Sequence, residues 1–379
     1  MPIYLDHNAT TPLRPEVFEA IVPFLREEYG NASSVHAFGS RARCAIEDAR
    51  GGIAEVLGAS AAEIIFTGGG TESNNLAIIG GARAKQCRVL ASAIEHSSVL
   101  GAVEALEDEG FAVERIPTDT TGVIRVAELE RALRLGPALV SIGWANNEIG
   151  TLQPVEEIAS LCASHGALLH VDAVQAFGKV PVRKSGIDML SLSAHKIGGP
   201  KGVGVLFVRQ GVAVKPLLVG GGQERGHRAG SENVAAIVGM GLACQLAYAE
   251  VDWFGEASLA MRDRLWNGIR GKVSAVHRHG NSLCLPNTLN LRFDGVRGEA
   301  LVAALDLEGI AVSAGSACAA GGGEPSHVLS AIGLDADTAR NGVRFSIGRT
   351  NAPDEIERAI SATTAAVERI RAAHGSRQR

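Results

Sequence analysis

The chain has 379 residues, of which 46% are hydrophobic and 20% charged, ordinary globular usage that excludes a wholly disordered protein. That length suits two domains better than one. Its 36 basic and 41 acidic residues leave a net charge of −5, which argues against a protein built mainly to grip nucleic acid or an anionic membrane.

No apolar run approaches the roughly 18 residues of a membrane span. The start, Met1-Pro2-Ile3-Tyr4-Leu5-Asp6, has neither a basic opening nor an apolar stretch, so no secretory signal is expected. The cysteines Cys44, Cys87, Cys162, Cys244, Cys284 and Cys318 are widely spaced and form no C-x-x-C, so a zinc ribbon or dithiol motif is not expected. The expectation is a cytoplasmic protein with reduced thiols and no metal.

In chain order, residues 63–67 predict a strand and 72–83 a helix, and 88–91 a strand. Val99, Leu100, Val103 and Leu106 share one helical face, and Gly110 ends that helix. A strand at 111–116, a helix at 126–133 and a very apolar strand at 138–142 follow. Val155, Ile158, Ala159 and Cys162 mark the next helix, and 167–171, 189–193 and 203–208 further strands. Strands alternating with helices imply an α/β fold with a mostly parallel sheet covered on both faces. After Gly222 the pattern changes to two long helices, 232–250 and 253–270. Segments 288–293, 301–307, 310–313 and 343–347 come next, then a final helix from 354 to about 373 and a frayed tail. This half reads as a smaller α+β domain.

Three stretches carry chemistry. Thr67-Gly68-Gly69-Gly70-Thr71 runs from a strand into a helix start, where glycines let backbone N–H groups approach an anion; it fits neither usual nucleotide pattern and is equally a plain strand-to-helix turn. Asp172 ends an apolar strand with Gln175 three residues on, at the sheet edge where α/β proteins hold ligands. Lys196 follows another apolar strand in Ser193-Ala194-His195-Lys196, a setting for a desolvated Schiff-base lysine or for an ordinary surface one. A glycine cradle, a carboxylate and a lysine, in that order, together suit pyridoxal 5'-phosphate.

With these stretches, the chain resembles the cysteine desulfurases of the NifS/IscS-like kind, in the class V aminotransferase family of fold type I pyridoxal phosphate enzymes. The resemblance runs from Tyr4-Leu5-Asp6-His7-Asn8-Ala9-Thr10-Thr11-Pro12 to Val343-Arg344-Phe345-Ser346-Ile347-Gly348-Arg349. It implies a large cofactor-binding domain at 15–250, and a small domain of 1–14 and 251–379 carrying a catalytic-cysteine loop. It implies that Lys196 holds the cofactor, Asp172 pairs with its ring nitrogen, Gln175 bonds its ring hydroxyl oxygen, and His96 stacks on the ring and assists proton transfer. Gly70, Thr71, Ser193 and His195 would cradle the phosphate. Ser231, where the family usually has Thr, would reach the phosphate of a partner subunit, so a homodimer is implied. Asn147 and Arg344 would bind the substrate carboxylate, with Arg349 the competing arginine.

The G-S-A-C stretch Gly315-Ser316-Ala317-Cys318 decides the reaction. By resemblance Cys318 is the nucleophile that takes sulfur from L-cysteine and leaves L-alanine. The persulfide would pass to an acceptor protein such as an iron–sulfur scaffold, or into thio-cofactor synthesis, with no direct nucleic-acid or membrane contact. Cys162, Cys244 and Cys284 read as buried inert thiols, and Cys44 and Cys87 as partly exposed ones outside any motif. Selenocysteine lyase and another class V aminotransferase or lyase are the alternatives.

Overall fold

The computed structural model describes residues 2–314 and 325–377. Its centre is a seven-stranded sheet in the order Ile64–Thr67, Gly204–Val208, Met189–Ser193, Leu168–Asp172, Ala138–Gly143, Arg88–Ser92, Val113–Ile116. All neighbours are parallel except Gly204–Val208, which runs antiparallel to both strands beside it. The short link from Ser193 to Gly204 dictates this, because a parallel return needs a crossover of about a dozen residues or more. The strands Met189–Ser193 and Gly204–Val208 are buried at every position, as a sheet covered on both faces requires.

Two apolar layers sandwich this sheet. Helices Pro15–Arg26, Ala37–Leu57 and Val234–Ala249 belong to one, with Ile46, Ile53, Met240 and Phe207 in its core. Ile78, Val99, Val103 and Leu106 belong to the other. The helix expected at 72–83 begins earlier, as Gly70–Asn75, and continues through a π-helical turn, Leu76–Gly80, into Gly81–Lys85.

A separate apolar core contains Leu265, Leu291, Phe293, Phe345 and Ile356. It lies under an antiparallel four-stranded sheet, Ser313–Ala314, Gly342–Ser346, Thr288–Phe293 and Val276–His279. Ile3 and Leu5 join this core, because strand Ile3–Tyr4 pairs in parallel with Ile310–Ala311. Helices Val234–Ala249 and Val251–Arg270 meet in a 68° bend. The final helix runs Pro353–Arg377, past the expected end. No single helix among the described residues is long and apolar enough to cross a membrane.

Candidate active site

The site grows from the carboxyl edge of the large sheet. Strand Leu168–Asp172 is buried from its second residue on, so its last side chain carries a carboxylate to that edge. Asp172 Oδ1 accepts the Val174 N–H at 2.9 Å, and Oδ2 accepts Asn74 Nδ2 at 2.7 Å. Asn74 Nδ2 also donates to Ser98 Oγ at 2.9 Å, and that oxygen lies 2.7 Å from His96 Nδ1. The Ser98 N–H donates to the same Nδ1 at 3.1 Å, so His96 caps the helix Ser97–Asp108. With Nδ1 accepting, a neutral His96 carries its proton on Nε2.

Lys196 ends the 3₁₀ turn Ala194–Lys196 that follows the strand Met189–Ser193. Its Nζ donates to the carbonyl oxygens of Asn8 at 2.6 Å and Ala9 at 2.8 Å. Asn8, 1% exposed, is the hub of the neighbourhood. Its carbonyl also accepts Gln175 Nε2 at 2.9 Å, and its Oδ1 accepts Lys179 Nζ at 2.9 Å and Asn287 Nδ2 at 3.1 Å. Its Nδ2 donates to Thr288 Oγ1 at 2.8 Å and to the Asn147 carbonyl at 3.2 Å.

At one end lie Gly70, Thr71, Ser193 and His195. Gly69 adopts φ +150°, and a Cβ on Gly204 would stand 2.6 Å from the Gly69 backbone, so both positions need glycine. His195 Nδ1 sits 3.1 Å from Thr10 Oγ1. Burial, with Lys196, Lys201 and Lys179 adding to it, pushes His195 down to about 4, so the ring is neutral at pH 7. At the other end Arg344, on strand Gly342–Ser346, is 1% exposed. It donates to Asp6 Oδ1 at 2.7 Å and to the Asn147 carbonyl at 2.9 Å.

One cavity of about 380 Å³ gathers Gly70, Thr71, His96, Asn147, Asp172, Gln175, Ser193, His195, Lys196 and Arg344. Residues 3–359 match the model of the class-V aminotransferases. The chain is 45% identical over 375 residues to cysteine desulfurase IscS of Dictyoglomus turgidum, covering 97% of this chain and 95% of that one. It is 46% identical over 379 residues to a cysteine desulfurase of Cereibacter sphaeroides, covering 98% and 97%. Among solved structures, a NifS-like protein superposes with a TM-score of 0.90 at 38% identity, over 97% of this chain and 100% of that one. The chain belongs to the class-V aminotransferase family.

Class-V aminotransferases of this kind work with pyridoxal 5'-phosphate, and the cavity fits that group. It combines a lysine amine, a carboxylate held by two donors, and small hydroxyl-bearing residues at a helix start. A Cβ on Gly70 would come within 2.9 Å of Val174 Cγ2, so the cradle is built for a bare backbone. Asn74 Oδ1 is buried beside Asp172 without a partner among the described residues. Among those residues there is no cluster of three or more His, Cys, Asp or Glu that could hold a metal.

One expected site residue lies elsewhere. Ser231 lines a separate cavity with Tyr29 and Gly30. Cys318 lies outside the described residues. Arg349 faces away from the cavity toward Glu250, 2.8 Å distant, and stacks over Trp253. Of the other thiols, Cys87, Cys162 and Cys244 are buried, Cys87 against expectation. Burial raises all three, Cys162 to about 12 with Asp188 adding to it. Cys284 is half-buried rather than buried, and its Sγ accepts from Arg262 at 3.0 Å and Arg278 at 3.3 Å.

The sequence reading missed Asn8, Asn74, Glu95 and Lys179. Glu95, 4% exposed, lines the cavity. Burial pushes it up to about 8, with Asp172 adding and the Gly143 N–H and Ser92 opposing, so it is a neutral acid at pH 7. The only sequence signal for Lys179 was its place four residues after Gln175.

Proposed function

We propose that this chain is a pyridoxal-phosphate-dependent cysteine desulfurase. It converts L-cysteine to L-alanine and hands the sulfur on, as a persulfide on Cys318, for iron–sulfur cluster or thio-cofactor synthesis. The observation that carries this reading is the convergence of Lys196, Asp172 and His96 in one cavity with Arg344.

When bound, the cofactor supplies an electron sink for the charge left at the substrate Cα once its proton is removed. Asp172, aimed by Asn74 and Val174, would pair with the ring nitrogen. Lys196 would hold the cofactor through its aldehyde carbon, and its amine, when free, would take the Cα proton. The Asn8 and Ala9 carbonyls are where that amine, once protonated, is received. His96 would meet the ring and, carrying its proton on Nε2, would deliver a proton from that atom. Gln175 would donate from Nε2 to the ring oxygen. Gly70, Thr71, Ser193 and the neutral His195 would hold the phosphate.

Arg344 and Asn147 take the substrate carboxylate, the arginine by its planar fork. The Cys318 thiolate attacks the substrate sulfur. An S–S bond forms and the Cβ–S bond breaks. The bonding pair stays on Cβ, which gains a proton to become the methyl of alanine. No outside oxidant or reductant is required, and the thiolate is the reactive form.

Residues 1–14 with 251–379 form the small domain, and 15–250 the large one. The chain works as a homodimer. An exposed face bearing Leu25, Tyr29 and Phe38 adjoins Ser231, and supports a second copy packing there so that Ser231 reaches the copy's phosphate. A sulfur-acceptor protein docks to receive the persulfide. The cytoplasm, where thiols stay reduced, is the compartment that suits this chemistry.

The test is mass spectrometry of the purified protein after addition of L-cysteine. One extra sulfur on the Cys318 peptide with equimolar alanine is the expected result. Amino transfer to a keto acid, or normal turnover by Cys318→Ala with cysteine, would overturn it. Turnover of selenocysteine alone would favour a selenocysteine lyase.

A further inference from the structure

Lys179 is a buried lysine for which the desulfurase reading has no use. It is 4% exposed and sits behind the cavity wall. The turn after Asp172 places it: the Phe177 N–H bonds the Ala173 carbonyl and the Val180 N–H bonds the Ala176 carbonyl, both at helical spacing. Residues four apart on such a turn share one face, so Lys179 stands over Gln175. Its Nζ lies 2.7 Å from Gln175 Oε1 and 2.9 Å from Asn8 Oδ1.

A lysine amine offers donors to an amide oxygen, whereas a carboxamide can turn either its oxygen or its nitrogen to a neighbour. The two ends of Gln175 are nearly the same size, so shape does not choose between them. Chemistry does. With Lys179 donating, Oε1 must face away from the cavity. Nε2 then faces the Asn8 carbonyl, 2.9 Å away, with a second N–H left for the cavity. We infer that Lys179 is a positioning residue, which locks the Gln175 amide so that a donor, and never an acceptor, meets the ring oxygen of the cofactor. The same amine fixes Asn8, whose carbonyl receives Lys196.

Burial sets this lysine apart from the others. It holds Lys179 well below the ordinary lysine range, and the Lys196 and Arg344 charges push the same way. His7 and His195 in turn feel Lys179 as a neighbouring positive charge. A chain keeps so costly a group only where its hydrogen bonds are needed, and removal of the donor would leave the buried Gln175 Oε1 unsatisfied and Asn8 Oδ1 with Asn287 as its remaining donor.

The inference rests on pyridoxal phosphate binding at Lys196, and its test separates the two. Wild type, Lys179→Met, Gln175→Ala and the double variant are stripped of cofactor. Each is then titrated with pyridoxal 5'-phosphate for Kd, and the pH midpoint of the bound cofactor's visible absorbance is read. K179M is expected to bind about tenfold more weakly and to move the midpoint in the direction that Q175A moves it. In the Q175A background it should add much less than it does in wild type, because the two act largely as one unit and only the Asn8 contact remains to be lost.

Wild-type Kd and midpoint in K179M, or effects that add in full, would overturn the inference. If K179M does not fold, judged by circular dichroism, Lys179→Gln decides. Its amide still donates but is one atom shorter, so two- to fivefold weaker binding supports the inference and unchanged binding overturns it. A wild-type chain that takes up no colour would instead sink the reading of Lys196.

Discussion

Asp172 and Asn74 stand 98 positions apart in the chain, yet the Asn74 amide donates to Asp172 Oδ2 at 2.7 Å. The same amide reaches Ser98 Oγ, which in turn contacts His96 Nδ1, so one side chain aligns a carboxylate and an imidazole on the same cavity. A hydrogen bond to a charged group is worth about 1.5–3 kcal/mol. Asn74→Ala should therefore lower kcat/KM roughly ten- to hundredfold while leaving cysteine able to bind. The bound cofactor's absorbance should also move, because the ring partner has lost its aim. Steady-state kinetics and a visible spectrum check this, and unchanged values for both would show that Asp172 needs no such support.

Lys196 is the next test. Its amine reaches the carbonyls of Asn8 and Ala9, and Lys196→Ala trims a half-buried side chain back to Cβ without touching either apolar core. The variant should melt within a few degrees of wild type. It should form no borohydride-reducible adduct with pyridoxal phosphate and release no alanine from cysteine. Mass spectrometry after reduction reads the adduct directly, and an adduct of normal yield would move the anchoring role to another lysine.

Asp172 and Lys196 were legible in the sequence because one ends and the other closely follows an apolar strand, and a strand buried on both faces has one exit for a polar side chain. Asn8 and Asn74 were not legible. Their roles come from contacts across the fold, Asn8 meeting Lys196 over a separation of 188 residues, and no local period records such a pairing. The direction of the strand Gly204–Val208 could have been read from the short link before it. The strand Ile3–Tyr4 could not, since its two residues carry no pattern and exist only because Ile310–Ala311 lies beside them. Lys179 carries no mark in the sequence, and only its burial sets it apart.

Stability should fall on the acid side. Burial is the leading cause that lowers His7, His195 and His279 to about 4 and His170 to about 3, from an ordinary 6.5. Between roughly pH 6.5 and 4 the folded chain thus binds fewer protons than the unfolded one, so stability is lost as pH falls through that window. Above it the histidines contribute no slope. The Tm of the cofactor-free protein should hold near pH 7 and drop steadily below about 6.5. His170, held between Ser141 and Ser191 at 2.8 Å each, is the clearest case, and His170→Asn should flatten part of the decline. A slope identical to wild type in that variant would remove His170 from the account.

Glu95 works in the opposite sense. Burial raises it from 4.5 to about 8, so between those values the folded chain binds more protons than the unfolded chain. Its contribution therefore makes the protein less stable as pH rises from about 4.5 toward 8. Glu95→Gln keeps the shape and removes the titration. Relative to wild type, E95Q should gain Tm at pH 8 compared with pH 5. A difference that does not change with pH would mean that Glu95 is ionised in the folded protein.

The loop that carries Ser231 is pinned by a buried ion pair. Arg50 and Glu224 are each 3% exposed in their side chains, and the arginine Nη1 and Nη2 both reach the carboxylate at 2.8 Å. Glu224 also accepts the Phe66 N–H at 2.8 Å, which fastens the loop to the strand Ile64–Thr67. Glu224 and Arg225 both adopt left-handed backbone, at φ 45° and 56°, a strain that non-glycine residues keep only when contacts hold them there. Arg50→Met leaves a buried carboxylate without its partner, which costs about 3–5 kcal/mol in such pairs. Denaturant titration should show that loss, and proteolysis should cut first within residues 220–231. If the loop gives way and Ser231 reaches a second copy, R50M should also shift toward monomer in sedimentation. A destabilised R50M that stays fully dimeric would detach the dimer contact from this ion pair.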